Sequence, residues 1–495
     1  MTKAGDELLR PGLLRSAALI AALLAAGCQT TAGGGSTSGS GARTPPVPLA
    51  RGMDPGADLD PFPSTYRPLP SRPTAIVHAT VLDGTGRQID DGVVVMAEGR
   101  ITAVGGPATA IPAGVTVVDA RGQWVTPGVI DAHSHLGVYP SPAVPALSDG
   151  NELTDPNTAQ VWSEHSVWPQ DPGFNRAREG GVTTLQILPG SGNLFGGRSV
   201  TLRNVPAATM QGMKFPGAPY GLKMACGENP SRVYGSRQRF PSTGMGNVAG
   251  YRAAWIRAAA YARSWRVYRE RIARNETADP PTRDLQLDTL AGVLDGTVTI
   301  QNHCYRADEM AVMIDIAHEF GFRINMFHHA SEAYKIAPLL AREHICAAIW
   351  GDWWGFKMEA YDGVEENAAL LQQAGACVVI HSDDENGIQR LNQASAIALG
   401  AAARAGITIT AAQAIQWITL NPARAIGVDH ETGSLEVGKR ADVVIWDHNP
   451  FSVYALTRQV YIDGAVVYDR ADPLTHARSD FELGQPGVAQ SGGRR

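Results

Sequence analysis

"GVIDAHSHLG", residues 128–137, decides how this chain is read. An apolar run ends in Asp131, and two histidines follow, His133 and His135, one residue apart. Side chains alternate across a strand, so both imidazoles can reach one cation while Ser134 faces away. Imidazole nitrogens suit zinc or a similar divalent metal, and an incomplete protein shell leaves room for water. A single strand end carries no argument, so the reading depends on how the other apolar runs finish.

Those runs are "TTLQIL", "YGLKMA", "VTIQNH", "RINMFH", "ICAAIW" and "CVVIHSD". Between several lie helix-like stretches such as "ADEMAVMIDIAHEFG" and "VEENAALLQQAG", each ending at glycine. Alternation of this kind over residues 126–425 predicts an α/β fold, a (β/α)8 TIM barrel with seven strands legible and the eighth inferred. His303 ends one run, His328 and His329 another, Asp383 and Asp384 a third. All fall at C-terminal strand ends, the face where such barrels carry their active sites. Around the barrel, β-branched runs in 73–125 and 426–470 predict one small β-sandwich domain built from both flanks.

Longer stretches carry a resemblance. "VTPGVIDAHSHLG" (125–137), "GVTTLQILPGSGN" (181–193), "LKMACGENPSRVYG" (222–235), "NHCYRADEM" (302–310), "HHASEAYKIA" (328–337), "HSDDENGIQRLNQASA" (381–396) and "TLNPARAIGVDHETGSLEVGKRADVVIWD" (419–447) resemble the amidohydrolase superfamily, near its imidazolonepropionase-like branch. The resemblance spans residues 73–470. It implies that His133 and His135 bind a buried divalent metal, zinc first among candidates, and that His303 and His329 bind a second, with His328 as a neighbour. Asp383 matches the aspartate after the last strand, with Asp384 as fallback. Relatives bridge the metals with a carboxylated lysine or a glutamate, and "GLKMACGENP" offers both. "GENP" resembles the branch that uses glutamate, so Glu228 is the expected bridge and Lys223 the alternative.

A divalent cation brings the pKa of bound water from 15.7 towards about 7 and polarises a carbonyl, while Asp383 can move the proton. The implied reaction is hydrolysis of an amide-like C–N bond, open or cyclic, by metal-bound hydroxide. A prolidase-like dipeptidase, a deaminase, and a non-catalytic ligand-binding lipoprotein on the same fold are the alternatives. Arg198, in the Gly-rich "LPGSGNLFGGRS", is a candidate for a substrate carboxylate, and Tyr305 and Arg306 for lining the pocket. That loop lacks the Gly-Lys-Ser/Thr ending of a phosphate loop. His381 lies two residues before Asp383 and is expected beside the ligands. Cys226 and Cys304 read as small buried residues, neither ligands nor a disulfide. "VAGYRAAWIRAAAYARSWRVYRERIARNE" (248–276) predicts a long amphipathic helix buried through Tyr251, Trp255, Ala259, Ala262 and Ile272, with seven arginines on its solvated side.

Composition bounds the setting. The chain has 495 residues, 44% hydrophobic and 18% charged, with net charge −6, which argues against a general nucleic-acid binder. Five cysteines form no CxxC pair. Lys3, Arg10 and Arg15 precede "SAALIAALLAAG" and Cys28, an apolar stretch too short to span a bilayer. "LLAAGC" resembles a bacterial lipobox, implying a signal peptide over 1–27, lipidation of Cys28, and a lipid anchor. Gln29 in place of Asp implies the periplasmic side of the outer membrane. Residues 28–72, rich in Gly, Ser, Thr and Pro, read as a flexible tether, and 471–495 as a tail. The expected partners are a small-molecule substrate and the lipid surface, with no nucleic acid; oligomeric state is not legible.

Overall fold

Val, Ile and Thr runs become strands wherever alternation can bury one side. The N-terminal flank supplies β1 (Thr74–Leu82), β2 (Gln88–Ala97), β3 (Arg100–Gly105), β4 (Thr116–Asp119) and β5 (Trp124–Pro127). The computed structural model describes residues 49–56, 60–141, 144–353 and 355–477. The expected signal segment, Cys28 and most of the expected tail therefore lie outside the described residues. The barrel strands are β6 (Val129–Ser134), β7 (Val182–Ile187), β8 (Phe195–Arg203), β9 (Tyr220–Ala225), β10 (Val298–Cys304), β11 (Met326–His329), β12 (Cys346–Ile349) and β13 (Cys377–Ile380). The C-terminal flank adds β14 (Val443–Trp446), β15 (Thr457–Ile462) and β16 (Ala465–Asp469).

The two flanks do meet. Their strands pair into one eight-stranded sheet, β16-β15-β14-β5-β1-β2-β3, with β4 beside β1. Where a sandwich was expected, hydrogen bonding gives one sheet with apolar residues on both faces: Ile76, Val94 and Met96 on one, Ala75, Val93 and Val95 on the other.

Strands β6 to β13 run in chain order round a nearly closed barrel. All seven strands read from the sequence are present. The eighth, β8, lies in the Gly-rich stretch that read as a loop, and it runs antiparallel to both β7 and β9. Its sequence, FGGRSVTLR, breaks the alternating pattern with two glycines. Gly197 takes φ 113, which admits the irregular register where Phe195 and Gly197 meet β9. Between β13 and β6 the barrel is closed by side chains and one backbone bond: Ser382 Oγ donates to Asp131 Oδ2 at 2.5 Å, and Asp383 N to His133 O at 3.1 Å. Asp131 is thus more than a strand residue. Burial pushes its carboxyl up to about 7 against the hydrogen bonds from Ser382 and the His133 amide.

The long helix forms over Gly244–Ala273, capped by Thr243, whose side chain accepts from Gly246 N. It buries Asn247, Tyr251, Ala254, Trp255, Ala258, Tyr261 and Trp265. That spacing averages close to 3.6 residues, so the buried stripe runs straight along the helix and leaves Ala259 exposed, correcting the expected face. Each large aromatic buried there contributes about 1.5–3 kcal/mol, which outweighs the helix's modest amphipathicity.

Residues 60–72, expected within a flexible tether, are instead held against the body. Ser64 Oγ donates to Lys214 O at 2.6 Å, and Tyr66 is buried with its hydroxyl on Asp463. One buried aromatic with a buried acceptor is enough to hold residues 60–72 against the body.

Candidate metal centre

Register decides which strand residues share the barrel interior. Gln301 pairs with Lys223, and His303 with His328, so these four face one side. His329 follows His328 and would face outward in a regular strand. Its backbone takes φ 71, and its ring returns to lie 4.5 Å from that of His303 and 4.8 Å from that of His133. Asp383 is also left-handed, at φ 53.

Three atoms converge at the barrel mouth. Asp383 Oδ1 lies 3.2 Å from His133 Nε2 and 3.1 Å from His135 Nε2, and the two nitrogens are 3.3 Å apart. Ligands at 2.0–2.1 Å from a tetrahedral zinc stand about 3.3 Å from one another, so this triangle has the edge length a cation needs. A second group, His133, His329 and His381, also gathers its ring nitrogens within 4.8 Å. Buried ring nitrogens with no hydrogen-bond partner among the described residues surround Asp383: Nδ1 of His303, Nδ1 of His329, and both nitrogens of His381. Buried polar atoms are ordinarily bonded, and a cation is the partner that imidazole lone pairs accept.

Neighbouring groups orient the ligands. Gln301 Nε2 lies 3.3 Å from the Ala425 carbonyl, a pure acceptor, which turns Gln301 Oε1 towards His328 Nε2 at 2.9 Å. His328 therefore donates through Nε2 and accepts through Nδ1, which sits 2.8 Å from His133 Nδ1. The His133 proton is thereby held on Nδ1, leaving Nε2 as a lone pair facing Asp383. His135 Nδ1 meets the Leu188 carbonyl at 2.8 Å, with the same consequence.

Electrostatics agree with a ligand set. Burial, then the Lys223 charge, holds His133, His303 and His328 well below the ordinary histidine range. Burial does the same to His329 and takes His381 down to about 3. All are neutral at pH 7, the state that binds metal. Burial alone would raise Asp383, but His329 and His135 outweigh it and keep the carboxylate well below its usual range.

The amidohydrolase family model matches residues 124–473. The chain belongs to the amidohydrolase family. It is 32% identical over 413 residues to the amidohydrolase tasK of Hapsidospora irregularis, an alignment covering 79% of this chain and 41% of that protein. The chain thus spans less than half of that relative's length. The imidazolonepropionase of Mesorhizobium japonicum is 24% identical over 410 residues, covering 74% and 90% of the two chains. The crystal structure of an amidohydrolase from Thermotoga maritima superposes with a TM-score of 0.72 at 32% identity, covering 80% of this chain and 100% of that one.

In this chain the structure departs from the sequence reading at four places. Glu228 does not join the histidines. It is the first residue of the helix Glu228–Gly235, beyond the β9 rim, and faces Lys357 Nζ at 3.3 Å. Lys223 stands among them instead, fully buried, with Nζ 3.3 Å from His133 Nε2. Burial brings its pKa down to about 8. The signal was present: Lys223 is the one charged residue in an otherwise apolar strand.

Arg198 pairs with Leu222, the neighbour of Lys223, so it faces out of the barrel and away from the histidines. Arg306 is exposed and bound to Asp308 through two 3.0 Å contacts at the start of a helix. Cys226 and Cys304 form a disulfide between the β9 and β10 ends, and Cys346 and Cys377 form a second across β12 and β13. Adjacent strands bring their Cα atoms to 5.2 and 4.4 Å, within disulfide reach, a proximity no spacing along the chain reveals.

Tyr305 stays at the site, stacked on His329 at 5.2 Å. Asp384 turns away to accept from the Asn386 and Gly387 amides. Sequence reasoning missed Gln301 and the aromatic wall in the loop after β12. There Trp350 stacks on His329 at 4.5 Å, followed by Trp353 and Phe356. Loop aromatics carry no periodic signal, so only the fold reveals them.

Proposed function

We propose that the chain is a hydrolase of carbon–nitrogen bonds that acts on a small amide-like substrate and depends on a divalent cation, zinc first. The observation carrying this reading is the triangle of His133 Nε2, His135 Nε2 and Asp383 Oδ1, with edges of 3.1–3.3 Å. His133, His135, His303, His329 and Asp383 would hold the metal, with His381 and Lys223 beside them. A cation there supplies Lewis acidity towards a carbonyl and acidifies water. Asp383, held ionised, accepts the proton of the attacking water and returns it to the leaving nitrogen. Lys223, whose burial favours the neutral amine, can add carbon dioxide; the carbamate forms with loss of one proton and would add a carboxylate to the residues that hold the metal. Tyr305, Trp350, Trp353 and Phe356 give the substrate an apolar wall, so acyl or aromatic substituents are favoured.

The test is Asp383→Asn assayed on N-acyl amino acids, dipeptides and cyclic amides. Turnover falls by about 10²–10⁴-fold while metal is largely kept; near-normal turnover in the variant, or a wild-type chain that binds no metal, overturns the reading. Placement at a periplasmic membrane surface through lipidated Cys28 belongs to the same proposal. It is supported by the lipobox-like segment and by two disulfides, which persist in oxidising compartments. Labelled palmitate that fails to enter the chain in cells would remove that part alone.

A further inference from the structure

A cavity of about 890 Å³ lies outside the barrel wall, between β9 and the helices Gly244–Ala273 and Leu285–Leu294. Tyr220 and Val298, the first residues of β9 and β10, line it. Five residues separate Val298 from His303, about 16 Å along a strand, and the wall itself lies between cavity and histidines.

Arg198 opens into this cavity and is 8% exposed. Its Nε donates to Thr289 Oγ1 at 2.8 Å, and its guanidinium lies 4.3 Å above the Trp162 ring and 5.4 Å from that of Tyr220. Its two terminal nitrogens have no acceptor among the described residues. The two acids whose charge acts on Arg198 are engaged elsewhere: Asp288 by Arg283 at 2.7 Å and the Tyr261 hydroxyl at 2.5 Å, Glu164 by Lys214 at 2.8 Å. The other buried arginines differ. Arg203 is bonded to Asp442 through both terminal nitrogens, and Arg178 to Asn204 O and Asn175 Oδ1. A buried charge with an empty fork is costly unless something fills it.

We propose that this cavity binds an amphipathic carboxylate, one carboxyl head with an apolar body, with Arg198 as its anchor. A guanidinium fork matches two carboxylate oxygens in one plane. Pro219, Leu294, Val298 and Phe320 offer the apolar body its wall. Arg263 and Arg266 stand exposed on the helix at the rim without an ion-pair partner among the described residues, and draw anions towards the mouth. Asp60, Glu270, Asp288 and Asp295 also line the cavity and disfavour a dianion, so a monoanionic carboxylate fits better than phosphate.

The experiment titrates the full chain with laurate, reading tryptophan fluorescence and calorimetry, before and after chelation of metal. One laurate binds per chain, chelation leaves the affinity unchanged, and Arg198→Gln weakens it about ten-fold or more. Ala262→Phe, which narrows the cavity and keeps the arginine, also weakens it. Any of four results overturns the proposal: no saturable binding, binding lost on chelation, equal affinity in Arg198→Gln, or inorganic phosphate or 1-dodecanol binding as tightly as laurate. If Arg198→Gln fails to fold, Ala262→Phe and the comparison of laurate with 1-dodecanol decide on their own.

Discussion

Gln301 touches no proposed ligand atom, yet it determines which nitrogen of His133 is free. The Ala425 carbonyl orients the amide, the amide orients His328, and His328 takes the His133 Nδ1 proton as a hydrogen bond. Gln301→Leu keeps the volume but frees both rings to choose their tautomers. Outer partners of this kind change metal affinity by about 10–100-fold. Competition with a chromogenic chelator should show a loss of that size with the melting temperature little changed; unaltered affinity would separate Gln301 from the metal. At the same scale the position of Lys223 explains why the sequence favoured Glu228 over it. A lysine in an apolar strand is ordinarily read as reaching for solvent, and only the closed barrel shows that its amine has none to reach.

At the scale of elements, the two disulfides do different things. Cys346–Cys377 closes a separation of 31 residues at the first residues of β12 and β13, away from the histidines. Cys226–Cys304 closes 78 residues and ties the β9 end to the residue after His303. Chain-entropy arguments give about 3–4.5 kcal/mol for loops of these lengths. Replacing Cys346 and Cys377 by alanine is expected to lower unfolding stability by about 2–4 kcal/mol in urea with metal binding intact. Replacing Cys226 and Cys304 should lower stability and metal affinity together. Equal metal affinity in both variants would mean that the β9–β10 clip has no role at the centre. The helix Gly244–Ala273 belongs to this scale too, since its length was legible and its buried face was set by what it packs on.

At the largest scale, the barrel and the flanking sheet are joined by a buried charge network. Arg203, at the end of β8, binds Asp442 at 2.5 and 2.6 Å and lies 3.3 Å from Asp463, so barrel and flanking sheet share it. Thr432 and the Asp463 amide also donate to Asp442. Burial would raise the Asp442 pKa, but Arg203 outweighs it and holds the carboxyl below its ordinary range. A depressed carboxylate contributes stability above the unfolded pKa, about 3.9 for Asp, and loses it as pH falls through the folded value. Unfolding stability should therefore decline below about pH 4. Arg203→Met strands Asp442 as an uncompensated buried charge, a loss of about 3–5 kcal/mol at pH 7. In that variant Asp442 titrates upward, so acid relieves the strain; a variant as acid-sensitive as the parent would contradict the assignment.

Much of this was written locally. Strand alternation, helix-ending glycines and histidines at strand ends made the barrel, its seven parallel strands and the His133, His135, His303, His329 and Asp383 set legible, because each depends on period or on position at a strand end. The antiparallel β8 was not legible, since its glycines erase the alternation that marks a strand. Arg198 was read towards the wrong face for the same reason. The sequence by itself determined which side chains could hold a metal. Only the tertiary structure decided that Lys223 lies beside His133 while Glu228 faces Lys357, that four cysteines pair, and that Arg198 looks outward. Those outcomes depend on which residues distant along the chain become neighbours across a sheet, and no pattern along a single strand carries that information.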